Sequence, residues 1–323
     1  MPQHAATART AAPQSLAPHR VHLSGLGLVM AAAALWATVG VASQLVPKEM
    51  QVPGEAYGFA RTALAGPALL LVGLATGARG ALHKDPWGFL TFGICCAVFQ
   101  IGLFRSFNLL GVTVTVFLTV CLPPVIAVGW ALLRNPASIS RGVMTALLIA
   151  VAGLAAFSSS GFSDGQFTEI FWGLALSLAA SVAFVVMSNT ARSLAERHDP
   201  LLVAGIGLSV TSVVLAAPLS LMAPQGWSQL AAGLSNWKIS GLLLYLGLVP
   251  TALAYLLYCR GMALCRSAPC GLVASTIEPG VAAVLAFLVL NESLSPWQAL
   301  GCVLMLVAMV TLWLEGQQAK TKT

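Results

Sequence analysis

The sequence predicts an all-α integral membrane protein with ten transmembrane helices, arranged as two inverted repeats of five helices each. Three observations predict this fold class. The composition is too apolar for a surface that faces water, and apolar runs of about 20 residues recur along the chain. In addition, the two halves of the chain resemble each other at an offset of 155 residues.

The composition excludes a soluble protein. Of the 323 residues, 58% are hydrophobic and only 8% are charged, whereas a soluble domain carries about 25% charged residues. Because so few charges cannot cover a surface exposed to water, most of the surface must contact lipid. The longest polar stretch is N-terminal, and we expect residues 1–22 to form a disordered cytoplasmic tail.

Ten apolar runs follow this tail, each long enough to cross a hydrocarbon core of about 30 Å. The first run exceeds the apolar core of a signal peptide, so we interpret it as a retained helix. Short polar segments with turn-forming residues separate the runs, as at Lys84-Asp85-Pro86 and His198-Asp199-Pro200. The predicted spans are 23–45, 55–76, 87–107, 112–133, 142–159, 169–190, 200–222, 238–258, 269–290 and 295–314.

The basic residues predict the side of the membrane on which each loop lies. With a cytoplasmic N-terminus, 12 of the 16 Lys and Arg residues fall on the inner side and four on the outer side. Cytoplasmic loops carry an excess of Lys and Arg, so we expect both termini to be cytoplasmic. The basic residues are scattered singly, and the net charge of +6 therefore does not indicate nucleic-acid binding.

An internal repeat becomes visible when the chain is offset by 155 residues. Because each predicted repeat contains an odd number of helices, the two repeats must cross the membrane in opposite senses. Inverted repeats are typical of alternating-access transporters, whose substrate site lies near the membrane midplane. The matched pairs are Arg105 and Arg260, Pro124 and Pro279, Ser138 and Ser293, and Ser140 and Ser295.

The apolar runs lack the residues that a membrane-embedded enzyme needs. All five histidines lie in tails or loops, and the seven cysteines show no metal-ligand spacing. A hydrolase or transferase would need a buried base, nucleophile or metal site, and no such motif stands within a predicted span. We therefore expect a protein that is not an enzyme and that uses no cofactor or metal.

Glu278 is the carboxylate that stands deepest inside a predicted span. An ionised and unpaired carboxylate is costly there, so such residues usually face a cavity and act in it. Pro279 lacks an amide proton and leaves the carbonyl of Ser275 without its helical partner, and the hydroxyls of Ser275 and Thr276 stand at the same level. These groups predict a site for a substrate ammonium group or a proton. Alternatively, Glu278 only bonds to neighbouring helices and holds the proline kink.

Aromatic, amide and hydroxyl side chains within the spans are the remaining candidates for a binding site. Such a mixture suits an amphipathic organic substrate better than an inorganic ion. For any one of these residues, the alternative is an interhelical hydrogen bond or a position in an interfacial belt. The candidates are Trp36, Gln100, Thr119, Asn189, Tyr245 and Tyr255.

Two arginines, Arg61 and Arg105, lie near the predicted outer ends of their helices. We expect both side chains to snorkel toward the membrane surface, which leaves no Lys or Arg at mid-depth. A phosphate-bearing substrate would need such a cation. The sequence therefore argues against sugar nucleotides and organic phosphates as substrates.

Two stretches of the C-terminal half, 277–284 (IEPGVAAV) and 290–301 (LNESLSPWQALG), resemble a known family. Together they resemble the second EamA repeat of the drug/metabolite transporter superfamily. In that repeat, a proline-centred apolar helix leads to a turn with a glutamate, and a Gln and a Gly open the last helix. The stretch 35–38 (LWAT), followed by Arg61, is similar to the start of the first EamA repeat.

The resemblance covers residues 24–315 and implies two EamA repeats, at 23–160 and 168–315, with a cytoplasmic tail at 316–323. It also implies export of small organic metabolites across a bacterial inner membrane. Glu292 matches the turn glutamate of the family and is interpreted as structural. Ala137 stands at the corresponding position of the first repeat, so the two halves are not chemically equivalent.

Within the superfamily, the aromatic candidates favour amino-acid exporters, among them aromatic amino acid exporters of the YddG type. The expected partners are a small-molecule substrate and the lipid bilayer, with proton coupling left open and no role for nucleic acid. We expect a monomer or a weak dimer. Two alternatives stay open: a downhill facilitator or channel with the same fold, and a multidrug or quaternary-cation exporter.

Overall fold

The computed structural model describes seven stretches of the chain, and every regular element within them is helical. The described residues are 18–44, 53–78, 84–110, 112–134, 139–158, 167–290 and 295–318. The first five helices are α1 (Pro18–Gln44), α2 (Gly54–Ala75), α3 (Pro86–Leu110), α4 (Val112–Arg134) and α5 (Arg141–Ser158). They are followed by α6 (Phe167–Ala195), α7 (Pro200–Met222), α8 (Gln225–Leu234), α9 (Trp237–Gly247), α10 (Ala254–Leu264), α11 (Ala268–Ser275), α12 (Glu278–Leu290) and α13 (Pro296–Gln318).

The prediction of a multi-pass, all-α membrane protein is confirmed. Six helical stretches are long and apolar enough to cross a membrane. They are Gly54–Ala75, Pro86–Leu110, Thr168–Ala195, Pro200–Met222, Trp237–Leu264 and Ala268–Val289. Shorter apolar stretches at Leu23–Val39, Leu118–Arg134, Arg141–Ala156 and Ala299–Thr311 coincide with the other four predicted spans. Ten crossings and an inverted repeat remain predictions.

Two predicted spans are interrupted rather than continuous. The span 238–258 consists of α9, a π-helical turn at Leu248–Leu253 and α10. Pro250 lies in this turn and has no amide proton, and the hydroxyl of Thr251 donates to the carbonyl of Leu246 at 2.6 Å. The turn rotates the residues that follow it relative to those before it, and π-helical turns are frequent at functional sites.

The span 269–290 breaks completely at the predicted proline position. Helix α11 ends at Ser275 and α12 begins at Glu278, so Glu278 and Pro279 occupy the first turn of a new helix. A carboxylate is favourable at a helix N-terminus, and a proline there removes no intrahelical hydrogen bond. By contrast, α4 continues through Pro123-Pro124. The two halves of the chain therefore differ at the matched positions Pro124 and Pro279.

Gly77 ends α2 instead of lying in a close helix contact. Its φ of +80° is left-handed, and the amide of Ala78 donates to the carbonyl of Gly73 at 2.9 Å while that of Gly77 donates to Leu74 at 3.2 Å. This is the bonding pattern of a Schellman cap. The spacing Gly73-x-x-x-Gly77 is typical of close helix contacts, but of these two glycines Gly73 alone faces another helix, at the Leu202 side chain.

Helices of the first half pack mainly against helices of the second half. The principal pairs are α1 with α10, α2 with α7, α3 with α6, and α5 with α13. Small residues allow these helices to approach closely. A Cβ atom on Gly25 of α1 would lie 2.9 Å from the carbonyl oxygen of Gly261 in α10, and a Cβ on Gly261 would lie 2.9 Å from that of Gly25.

Several sequence predictions concern residues outside the described stretches. They include most of the expected disordered tail, namely residues 1–17, the turn glutamate Glu292 with its counterpart Ala137, and the repeat pair Ser138 and Ser293. At the C-terminus, α13 continues to Gln318, past the predicted start of the tail at residue 316.

Candidate functional site

An aromatic cluster forms where α1, α6 and α10 meet. The ring of Trp36 lies 5.3 Å from that of Tyr255, 5.1 Å from that of Tyr258 and 6.3 Å from that of Phe184, measured between centroids. Two of these contacts are edge-to-face, a geometry that aromatic rings favour. Tyr255 and Tyr258 lie on α10, which follows the π-helical turn, and both side chains are buried.

A polar edge continues from this cluster onto α3. The hydroxyl of Tyr255 lies 3.3 Å from the Sγ of Cys96, and the Nε2 of Gln100 donates to the same sulfur at 3.8 Å. The Oε1 of Gln100 is buried and has no hydrogen-bond partner among the described residues. Gln100 is only 3% exposed, so its carbonyl is an acceptor that the protein itself leaves unused.

Gly58 of α2 makes room for this carbonyl. A Cβ atom at Gly58 would lie 3.0 Å from the Oε1 of Gln100, which is closer than most such contacts. Any other residue at this position would therefore press on the unpartnered oxygen. Gly58 lies one helical turn before Arg61, so the glycine and the arginine occupy the same side of α2.

Arg61 and Glu278 bring opposite charges to the neighbourhood of the cluster. Arg61 interacts electrostatically with Tyr255, Cys96 and Glu278, and the electrostatic partner of Glu278 is Arg61. Both side chains lie within described stretches, yet no hydrogen bond or close ion pair between them is formed there. The Nε of Arg61 is buried and has no hydrogen-bond partner among the described residues.

The expectation that Arg61 snorkels to the membrane surface is therefore not met. Arg61 lies seven residues after the start of α2, or about 10 Å along the helix axis at 1.5 Å per residue. A position of Arg61 below the membrane surface stays a prediction that rests on this distance along α2. Arg105 differs from Arg61, because its Nε lies 2.7 Å from Oε1 of the buried Glu55 and its side chain is 32% exposed.

The hydroxyl candidates on α11 bond to their own helix. The Oγ of Ser275 donates to the carbonyl of Leu272 and the Oγ1 of Thr276 donates to that of Val273, both at 2.7 Å. These bonds satisfy the last carbonyls of α11, where the helix stops. The two hydroxyls therefore stabilise the break before Glu278, and each oxygen retains the capacity to accept one further hydrogen bond.

Three other predicted site residues stand apart from the cluster. Thr119 is buried in α4 and donates to the carbonyl of Thr115 at 2.8 Å. Asn189 is exposed on α6 and donates to the carbonyl of Val185 at 2.9 Å. Tyr245 is 36% exposed and donates to the hydroxyl of Thr38 in α1 at 2.8 Å. The structure thus brings Trp36, Gln100 and Tyr255 into one region and links Glu278 to it through the electrostatic interaction with Arg61. It does not bring Thr119, Asn189 or Tyr245 into this region.

Sequence reasoning missed Arg61, Phe184 and Tyr258 as members of this region. The sequence placed Arg61 near the end of its predicted span, where snorkelling is common, and so gave no signal that its Nε is buried. Tyr258 is spaced three residues from Tyr255, which places both on one helix face. Nothing in the sequence distinguished Phe184 from the many apolar residues around it.

The side chains of this region suit the binding of an amphipathic molecule. The described residues contain no group of three His, Cys, Asp or Glu side chains that could hold a metal ion. The available groups are aromatic faces, an amide carbonyl, a guanidinium and a carboxylate. Such a set recognises a small organic molecule with both an apolar part and charged or polar ends.

Comparison with known proteins places this multi-pass helical protein among transporters. Two relatives are similar over nearly the whole chain. "Uncharacterized transporter YwfM" of Bacillus subtilis is 27% identical over 299 residues, which cover 91% of this chain and 95% of the relative. "Uncharacterized inner membrane transporter YicL" of Salmonella typhimurium is 26% identical over 310 residues, covering 91% and 96%.

Residues 168–314 match the EamA-like transporter family, and this match, together with the two relatives named as transporters, supports an EamA-type transporter. A solved crystal structure is similar with a TM-score of 0.74, over 92% of this chain and 99% of that chain, at 19% sequence identity. At this identity the likeness concerns the fold alone. The narrower resemblance to aromatic amino acid exporters of the YddG type is not confirmed by these comparisons.

Proposed function

We propose that this protein exports small amphipathic metabolites, chiefly aromatic or other apolar amino acids, across a bacterial inner membrane by alternating access. The observation that carries the proposal is the aromatic cluster of Trp36, Tyr255, Tyr258 and Phe184. It is accompanied by the carboxylate of Glu278, whose electrostatic partner Arg61 also interacts with Tyr255. Aromatic faces accept an apolar side chain, and the carboxylate attracts an ammonium group.

The helix packing supports two inverted repeats as the basis of alternating access. In two inverted repeats, each of the first five spans corresponds to the span five positions later in the chain. Under this correspondence the contact of α1 (span one) with α10 (span eight) becomes the contact of α6 (span six) with α3 (span three), and both contacts are present. The same correspondence maps the α2–α7 and α5–α13 pairs onto themselves. This pattern is expected of two repeats related by a pseudo-twofold axis, with a site between them.

The proposed orientation of the chain in the membrane is supported by the distribution of basic residues, and the proposed location in the inner membrane is supported by one relative. The excess of Lys and Arg on the predicted inner side supports cytoplasmic termini. YicL is described as an inner membrane transporter, and its similarity supports the same location here. Proton coupling remains open within this proposal.

Counterflow in proteoliposomes tests the carrier function. Vesicles with the purified full-length protein are loaded with unlabelled L-phenylalanine or L-leucine, and uptake of the labelled amino acid is followed at two pH values. We expect saturable exchange that depends on the internal amino acid. Conductance far above a carrier turnover would indicate a channel, and exchange of a quaternary cation without exchange of amino acids would indicate a multidrug exporter.

Replacement of Glu278 tests the site. Glu278→Gln keeps the shape of the side chain but removes its charge, so we expect exchange of amino acids to fall by about tenfold or more, since each 1.4 kcal/mol of lost interaction is a factor of ten. Glu169→Gln removes a carboxylate from the exposed first turn of α6 and serves as the matched control. Unchanged exchange in Glu278→Gln would leave this carboxylate with a structural role alone.

A further inference from the structure

We propose that Arg61 binds the carboxylate of the substrate opposite Glu278, so that the site selects zwitterionic amino acids over amines that lack a carboxylate. This inference rests on the proposed function and adds a specificity-determining residue to it. It concerns a side chain that the sequence pattern had placed at the membrane surface.

The first observation is the unused donor of Arg61. A guanidinium carries five N–H donors and remains charged at every physiological pH, and a charge within the membrane requires a partner or a polar cavity. The Nε of Arg61 is buried without a hydrogen-bond partner among the described residues. Arg61 differs in this from Arg192, whose Nε donates to Glu196 at 2.9 Å.

The second observation is that Arg61 and Glu278 influence each other without pairing. Their electrostatic interaction is mutual, but within the described stretches no close ion pair joins them. Two opposite charges held apart in a low-dielectric region form a dipolar site. A zwitterion bound with its carboxylate at Arg61 and its ammonium group toward Glu278 completes both interactions and leaves the net charge of the site unchanged.

The third observation is the unpartnered Oε1 of Gln100, which Gly58 leaves room for. An ammonium group is a donor with three protons and needs more than one acceptor. Glu278 therefore offers acceptors to the ammonium end of a zwitterion and Arg61 offers donors to its carboxylate, while the Oε1 of Gln100 is a further free acceptor beside Gly58, one helical turn from Arg61 on α2. Tyr255 interacts electrostatically with Arg61 and its ring contacts that of Trp36 at 5.3 Å, so the aromatic cluster is where the side chain of an aromatic or apolar amino acid would pack.

Charge balance argues against other ligand classes at the same site. An organic phosphate would bring two negative charges near Glu278, and among the described residues Arg61 is the one cation with an electrostatic interaction with this carboxylate. A quaternary cation would satisfy Glu278 but leave Arg61 with a like charge beside it. A neutral zwitterion avoids both penalties, because a buried charge without a partner is strongly unfavourable.

Binding to the purified full-length protein in detergent tests the inference with two matched ligand pairs. L-phenylalanine is compared with phenethylamine, and L-leucine with isoamylamine, which differ only by the carboxylate. For the wild type we expect the amino acid to bind on the order of 10- to 100-fold more tightly, as expected for charge-assisted hydrogen bonds. Equal affinity for both members of each pair would overturn the role of Arg61 without any variant.

Variants of Arg61 locate the selectivity. In Arg61→Gln the preference for the amino acid should fall to within about threefold, because the amide supplies weaker donors without charge. Arg61→Lys should keep part of it, and Arg260→Gln, which removes an exposed arginine from α10, should keep all of it. A wild-type preference that persists in Arg61→Gln would contradict the inference while leaving amino-acid transport intact. Absence of amino-acid binding in the wild type would instead contradict the proposed function.

Discussion

At the scale of single residues, the buried pair of Tyr258 and Ser188 links the aromatic cluster to α6. Their hydroxyl oxygens lie 2.7 Å apart, and the Oγ of Ser188 also lies 2.6 Å from the carbonyl of Phe184. Both residues are fully buried. Since a buried hydroxyl without a partner is unfavourable, the pair fixes the orientation of the Tyr258 ring against Trp36.

Ser188→Ala should therefore lower the stability of the protein by about 0.5–2 kcal/mol, within the range for interhelical hydrogen bonds in membranes. The measurement is the thermal unfolding midpoint of the purified protein in detergent. The double variant Ser188→Ala with Tyr258→Phe removes both partners and should regain part of the loss, because no hydroxyl is left unsatisfied. A double variant whose destabilisation equals the sum of the single ones would show that the two hydroxyls do not interact.

Residue types were predictable from the sequence, but the direction of their side chains was not. Trp36, Gln100, Tyr255 and Glu278 were predicted as site residues from their positions within apolar runs. The structure brings the first three into one region, and Glu278 is linked to it through Arg61. Asn189 was predicted by the same reasoning and is exposed on α6. The difference depends on which helix face meets a neighbour, and in a chain this apolar both lipid-facing and protein-facing sides are hydrophobic.

At the scale of helices, spans were predictable because a membrane imposes their length and apolarity. The breaks within the spans were not predictable, because they depend on the backbone hydrogen bonds around a proline as well as on the proline itself. Pro279 stands at the start of α12 and Pro250 in a π-helical turn, whereas α4 passes through Pro123-Pro124 without a break. A proline stands at all three places, but the sequence alone does not predict which of them becomes a helix start, a π-helical turn or a continuous helix.

The contact between α1 and α10 depends on Gly25, which meets backbone atoms of α10. A Cβ at Gly25 would lie 2.8 Å from the carbonyl carbon of Leu264 and 2.9 Å from the amide nitrogen of Cys265. Backbone cannot move aside as a side chain can, so Gly25→Ala should separate the two helices and lower stability by about 1–3 kcal/mol. Thermal unfolding in detergent measures the effect.

Gly27 provides the matched control for this prediction, because it lies two residues further along the same helix and has open space around its Cβ position. Gly27→Ala should leave the unfolding midpoint unchanged or raise it slightly, since alanine favours a helix by up to about 1 kcal/mol relative to glycine. Equal destabilisation by the two alanine variants would contradict the prediction that Gly25 is needed for the close contact between α1 and α10.

At the scale of the whole molecule, an ion cluster joins the start of α3 to the turn between α6 and α7. The Nη1 of Arg197 and the Nε2 of His198 each lie 2.7 Å from Oδ2 of Asp85. Because α3 and α6 are also a principal packing pair, the cluster ties the first half of the chain to the second. The hydrogen bond from His198, followed by that from Arg197, holds the pKa of Asp85 below its usual value.

This lowered pKa predicts how stability changes with pH. A carboxyl group whose pKa is lower in the folded protein stabilises the fold above its unfolded pKa, about 3.9 for aspartate, and loses this contribution as the pH falls through the folded pKa. The unfolding midpoint of Asp85→Asn should therefore lie below that of the wild type at pH 5–6, and the two should converge as the pH falls below about 4. Glu169→Gln, which changes an exposed carboxylate of α6, should follow the wild type throughout. A constant difference between Asp85→Asn and the wild type across this pH range would show that Asp85 acts through packing rather than through its charge.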